Sequence, residues 1–177
     1  MAVTLPYIGK GDTAIDATCG AGQDTAVLAN AVGKEGHVYA FDIQRKALLL
    51  TEAHLKAHGH SNVTLLQKSF ASMSDHIPAG KAAAVVFNLG YLPGGDHSIT
   101  TTADETVKGL ECALKTIRNG GIVTVVLYDG HEQDATEKSR VLEWAAALDH
   151  SKYHAAFVSL LNQKNHPPEI LWITKKR

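Results

Sequence analysis

The stretch from Ile15 to Thr25, "IDATCGAGQDT", holds the densest set of residues able to do chemistry. An apolar strand tip runs into Gly20-x-Gly22 and then into a helical pattern. That is how a chain brings backbone amides close to a ligand at the carboxyl end of a strand. Two features oppose a bound pyrophosphate. Thr25 stands where a dinucleotide fingerprint wants its third glycine, and the charge of Asp24 falls in the first helical turn, where a phosphate would sit. A cation suits the turn better. S-adenosylmethionine carries a sulfonium and an α-ammonium, which Asp16 and Asp24 attract, and a carboxylate for the loop amides. Asp42 follows Gly22 by twenty residues at the end of "YAFD", the spacing at which an acid accepts hydrogen bonds from ribose hydroxyls. Ile43 then lies against adenine. At the next strand end, "KSFASM" offers Ser69 and Phe70 as edge and face for the same base, with Phe70 equally suited to the core.

The second chemical stretch is "NLGYLPGGDH", Asn88 to His97, which is too rich in Gly and Pro to serve packing alone. It is similar to the Asn-Pro-Pro-Tyr loop of amino-group methyltransferases, with Leu89-Gly90 in place of the two prolines. In such a site the Asn88 side-chain oxygen and the Leu89 carbonyl accept hydrogen bonds from a substrate amine and aim its lone pair at the methyl group. Tyr91 offers a face for a base. Asp96 and His97 are candidates to take the proton of an amine that is protonated in water, or else form a polar turn. Asn88 also borders the cofactor side.

These residues need a scaffold, and the chain supplies a βαβ rhythm. Strands are expected at Thr13–Ala17, His37–Phe41, Val63–Gln67, Ala82–Asn88, Ile122–Tyr128, Tyr153–Leu161 and Ile170–Thr174. Most are unpatterned and β-branched, as strands covered on both faces are. Helices are expected at Asp24–Val32, Gln44–His58, Asp104–Arg118 and Thr136–Leu148, with Val107, Leu110, Leu114 and Ile117 on one face of the third and Gly120-Gly121 ending it. "NQKNHPP" is too short for a crossover helix, so the last two strands form an antiparallel hairpin. The fold class is α/β, a seven-stranded, mostly parallel sheet with helices on both faces.

With 177 residues and 45% apolar content, the chain is read as one domain spanning residues 1–177. A formal charge of -1 excludes a globally basic nucleic-acid binder, so any RNA contact is local, with Lys164, His166 and Lys175–Arg177 as contributors, the last of these reading equally as a solvated terminus. Cys19 and Cys112 form no CxxC pair, and there is no signal-peptide pattern or membrane-length apolar run, which points to a reduced cytoplasmic protein away from membranes. His54, His58 and His60 read as a solvated helix end, and no metal site is expected. Oligomeric state is not readable.

"DATCGAGQDT", "FDIQ", "FNLGYLPGGDHSI" followed by Thr101-Thr102, "GGIVTVVLYDGH" and "LLNQKNHPP" together resemble the small bacterial methyltransferases labelled rRNA methylases. Characterised members methylate the aminomethyl group of aminomethyl-thiouridine at the tRNA wobble position. The resemblance implies a Rossmann-like class I methyltransferase fold, S-adenosylmethionine as methyl donor and a tRNA anticodon stem-loop as partner. It places Asp16, Gly20, Gly22, Asp24, Thr25 and Asp42 at cofactor positions and Asn88, Tyr91, Asp96 and His97 in the substrate loop. Relatives commonly carry Asn at Ala21, His or Asn at Gln23 and His at Phe70. They begin with a helix bearing a Ser-His pair, where this chain reads "MAVTLPYIGKGD".

Other readings stay open. The same fold suits an rRNA base or a small-molecule amine, and a relative that binds cofactor or RNA without turnover is a third case. A Rossmann dehydrogenase is opposed by Asp24 and the missing third glycine.

Overall fold

A computed structural model describes residues 1–89, 102–128, 132–164 and 167–177, without the side chains of 132–135. Tyr91, Asp96, His97 and His166 lie outside the described residues.

The strands are β1 (Thr13–Asp16), β2 (His37–Asp42), β3 (Val63–Gln67), β4 (Ala82–Asn88), β5 (Ile117–Leu127), β6 (Tyr153–Val158) and β7 (Glu169–Lys175). They form one sheet in the order β3-β2-β1-β4-β5-β7-β6. β1 to β5 are parallel, whereas β7 runs antiparallel to both β5 and β6. The helices are α1 (Gln23–Val32), α2 (Arg45–Ala57), α3 (Ala103–Thr116) and α4 (Glu132–Ala146). Short 3-10 turns occupy Leu5–Tyr7 and Phe70–Asp75.

Apolar burial on each sheet face holds these layers together. Leu28, Ala29 and Val32 of α1 pack on Ala14, Val38 and Val86. On the other face, Leu110, Ala113 and Leu114 of α3 and Val141 and Ala145 of α4 cover Ile15, Phe41, Val85, Phe87 and Val123. No helix among the described residues is long and apolar enough to cross a membrane.

Several sequence expectations change. α3 stops at Thr116, and Ile117 is already extended and paired with Ala82, so Gly120-Gly121 does not end the helix. The two glycines lie within β5, where the register jumps from Ala82↔Ile117 to Ala84↔Ile122. Gly120 takes φ +75° there, a left-handed conformation that glycine adopts without a Cβ clash. Ile117 therefore belongs to the sheet, and the inward face of α3 centres on Thr106, Gly109, Leu110 and Ala113. β6 ends at Val158, where its pairing with β7 stops at Ile170. It is an exposed edge strand and not one covered on both faces.

Candidate active site

The strand order reverses between β1 and β4, and the chemical residues collect outside the carboxyl ends of these strands, as the doubly wound topology requires. After β1, Gly20 and Gly22 adopt φ +53° and +84°. A Cβ on Gly22 would lie 2.9 Å from the Thr51 Cα, so the loop and α2 meet with no room for a side chain. Gly22 is also the N-cap of α1 and offers no side chain to cap its first turn, which leaves backbone donors at the helix start for an anionic ligand group. Asp24 and Thr25 follow in that turn.

Asp16 lies beneath the loop with 1% exposure. The Thr18 N–H donates to its Oδ1 at 3.1 Å and the Thr25 hydroxyl to its Oδ2 at 2.6 Å. Both oxygens thus hold the loop's own groups, where sequence reasoning had them attracting a cation directly. Burial pushes the Asp16 carboxyl up to about 7, opposed by those two hydrogen bonds and reinforced by Asp24 and Asp42. The neighbouring Cys19 thiol is pushed by burial up to about 12 and stays neutral. Thr25, fully buried, is a strut for Asp16.

Asp42 ends β2 beside the loop. Its Oδ2 accepts the Gly20 N–H at 3.1 Å and its Oδ1 the Gln44 N–H at 2.8 Å, each oxygen retaining a lone pair. Burial raises its carboxyl above the ordinary range against the pull of these bonds. Ile43, next along, is 48% exposed and presents apolar surface at the strand end. Phe70 is not such a surface. It is 6% exposed, packs edge-on against Phe87 at 5.5 Å and fits under Gly109 of α3. The sequence offered core and adenine face as alternatives, and the packing selects core. Ser69 caps the turn that Phe70 begins, accepting the Ala71 N–H, while its hydroxyl donates to Glu105 Oε1 at 2.6 Å.

Asn88 ends β4 with its side chain exposed. Its N–H donates to Thr18 Oγ1 at 2.7 Å, which ties it to the cofactor-side loop. The Leu89 N–H donates to the Val126 carbonyl at 3.1 Å, which ties the next residue to β5. The Tyr128 hydroxyl donates to Asn88 Oδ1 at 3.0 Å. Thr18, Thr51 and Tyr128 were not singled out from the sequence. Thr51 donates to the Gly20 carbonyl at 3.0 Å from the middle of α2, where no local signal marks it. Tyr128 carried one: a polar aromatic at a strand's carboxyl end, in the motif "VLYDGH".

The basic tail falls elsewhere. Because β7 is antiparallel, its end lies by Ile122, at the amino edge of the parallel strands. There Lys175 Nζ donates to the Leu114 and Ile117 carbonyls, and Lys176 Nζ to that of His150. The tail therefore lies away from this site. The β6–β7 connection, with Lys164, leaves from the carboxyl edge, where Glu169 pairs with Leu127. His58 Nδ1 is 2.8 Å from the His54 carbonyl, as at an ordinary helix end.

The glycine turn at the β1/β4 switch point, a strand-end acid on β2 and the seven-stranded sheet with a reversed final hairpin define a class I S-adenosylmethionine-dependent methyltransferase. The family described as "Putative rRNA methylase" matches residues 38–174, and the chain belongs to that family. A second match, to protein-L-isoaspartate(D-aspartate) O-methyltransferase, covers residues 1–69. Among curated relatives, the chain is 37% identical over 90% of its length to the chloroplastic tRNA (mnm(5)s(2)U34)-methyltransferase of Arabidopsis thaliana, and it spans 62% of that protein's length. Two solved structures extend the likeness. One, described as a "putative rRNA-methylase" from Clostridium thermocellum, is 41% identical with a TM-score of 0.93, covering 97% of this chain and 92% of the other. The other, described as a "putative methyltransferase" from Streptococcus mutans in complex with SAH, is 31% identical with a TM-score of 0.88, covering 98% and 94%.

S-adenosylmethionine is the cofactor, and the donor set fits it. Uncapped amides at the start of α1 suit its carboxylate, the lone pairs left on Asp42 suit ribose hydroxyls, and Ile43 suits adenine.

Proposed function

We propose that this chain, acting as a single domain, methylates the exocyclic amine of an aminomethyl-uridine at the wobble position of tRNA. The observation that supports it most is the placing of Asn88. Its backbone is bonded to the cofactor-side loop through Thr18, while its carboxamide stands exposed at the strand end. The carboxamide oxygen is an acceptor for a substrate N–H. Holding the amine there directs its lone pair toward the cofactor side and replaces the water that would otherwise solvate it.

When bound, S-adenosylmethionine supplies a methyl group already activated by its sulfonium. The chain's own residues then have to bind, orient and desolvate. Asp42, Ile43 and the glycine loop do the binding; Asn88 and the Leu89 carbonyl do the orienting. Asp96 and His97 are the proposed proton acceptors and Tyr91 the stacking face. The name of the Arabidopsis relative supports a wobble-uridine substrate. Anticodon loops present unstacked bases, which a site of this kind reaches without opening a duplex. The family's description favours a second reading, methylation of ribosomal RNA.

Nucleoside mass spectrometry separates the two. tRNA carrying aminomethyl-uridine, tRNA lacking that group and ribosomal RNA are each incubated with the protein and isotopically labelled methyl donor. Label on the aminomethyl nucleoside alone is expected. Equal labelling of tRNA without the group refutes the amine assignment, and label confined to ribosomal RNA establishes the second reading.

A further inference from the structure

The backbone of Asn88 is fixed on two sides. Its N–H is held by Thr18 at 2.7 Å, and the following N–H, of Leu89, is held by the Val126 carbonyl at 3.1 Å. Neither bond determines where the carboxamide points. A primary amide is nearly symmetric in shape, and rotation about its last torsion exchanges an acceptor oxygen for a donor nitrogen. The two ends have opposite consequences for an amine substrate. The oxygen accepts an N–H and leaves the lone pair free to react, whereas the nitrogen would donate to that lone pair and occupy it.

Tyr128 stands where this choice is made. Asn88 pairs with Val126 across β4 and β5, and Tyr128 directly follows the last residue of β5, beside the end of β4. Its hydroxyl donates to Asn88 Oδ1 at 3.0 Å. A phenolic oxygen shares its lone pair with the ring, which makes it a better donor than acceptor. Tyr128 therefore favours the orientation with Oδ1 toward it. An amide oxygen has two lone pairs, so one remains for the substrate. The ring is itself 40% exposed, and the bond is not part of the packed core.

We infer that Tyr128 is a positioning residue for methyl transfer, its hydroxyl setting the Asn88 carboxamide so that the oxygen and not the nitrogen meets the substrate amine. This rests on the amine-methylation reading above. The role is distinct from cofactor binding, since Tyr128 lies beyond β4 from Asp42 in the strand order. It also differs from stacking on a base, which would need the ring but not the hydroxyl.

The test is a double-mutant cycle on turnover with the full chain, using Tyr128→Phe, Asn88→Ala and the pair. Tyr128→Phe keeps the ring and removes only the donor. It should lower kcat about tenfold, leave KM for RNA and affinity for S-adenosylmethionine within about twofold, and have no further effect once Asn88 is Ala. Equal losses from Tyr128→Phe in both backgrounds would show that the hydroxyl acts independently of Asn88 and overturn the inference, as would unchanged kcat in the single variant. A second readout needs no substrate: the side-chain amide signals of Asn88 in ¹⁵N-labelled protein should shift in Tyr128→Phe, and unchanged signals would also overturn it. If the wild type labels no RNA amine while those signals shift, the amine reading fails and the hydrogen bond to Asn88 stands.

Discussion

Each polar group near the glycine turn acts through a few identified atoms, so the first two predictions concern single side chains. Asp42 keeps one lone pair on each oxygen after accepting from Gly20 and Gln44. Replacing it with Ala removes a charge-assisted acceptor for two ribose hydroxyls and should weaken S-adenosylmethionine binding by about 1.5–3 kcal/mol, measured by calorimetry. Burial raises its carboxyl above the ordinary value of 3.8. Wild-type affinity should therefore decline on acidification at a pH above the usual carboxylate range, and that decline should vanish in Asp42→Ala. Asn88→Ala should behave in the opposite way. Cofactor affinity should stay within a few-fold while turnover falls by roughly a hundredfold, because orienting the nucleophile acts on the transition state. Loss of cofactor binding with turnover intact would move Asn88 to the cofactor side. That Gly20, Gly22, Asp42 and Asn88 gather outside the carboxyl ends of neighbouring strands was legible because strand-end placement and spacing are local signals. Burial is not local, which is why the enclosed state of Asp16 and Phe70 emerged only with the fold.

Elements hold these residues in place, and their limits follow from signals of unequal reach. β3 and β4 were expected with the limits they have, since each is an apolar run bounded by polar residues or breakers. The closing hairpin followed from the length of its connection. The α3–β5 junction did not, because a Gly-Gly pair signals a helix stop and a strand bulge equally well. Here sheet pairing decides, with Ile117 joining Ala82 before the glycines arrive. The position of the basic tail was not legible, because nothing in its composition says which sheet edge an antiparallel strand returns to. Two substitutions test the element contacts. Gly22→Ala adds a Cβ 2.9 Å from the Thr51 Cα in a conformation with φ +84°, and should cost about 1–3 kcal/mol of stability in urea titration as well as cofactor affinity. Phe70→Leu should cost about 1 kcal/mol of stability with S-adenosylmethionine affinity unchanged, because the ring fills the space between α3 and Phe87 and does not face the ligand. Weakened cofactor binding there would restore the adenine-face reading.

At the scale of the molecule, the sheet separates anchoring from chemistry. Along the amino edge of the parallel strands, the Arg118 guanidinium bonds both Asp12 oxygens, at 3.0 and 2.9 Å, and the Tyr7 carbonyl, and the Lys175 ammonium joins the end of α3. The carboxyl edge carries the glycine turn, Asp42, Asn88 and Tyr128. A buried acid lies just under that working edge, and it should appear in the pH dependence of the whole fold. The Asp16 carboxyl is raised by burial from 3.8 to about 7. Between these values the folded chain binds more protons than the unfolded one, so stability falls as pH rises. The cost is absent below about 4, where both states are protonated, and complete above about 7, where both are ionised. Other groups titrate in the same range, so the informative quantity is a difference between variants. Asp16→Asn is neutral at every pH and keeps the geometry, with its oxygen accepting the Thr18 N–H and its amide facing the Thr25 hydroxyl. The stability of Asp16→Asn relative to wild type should therefore rise steadily from pH 4 to pH 7 and be level on either side. Urea titrations of both proteins at half-unit intervals measure it. A level difference across the whole range would mean that Asp16 stays ionised beneath the loop, its two hydrogen bonds outweighing the loss of water.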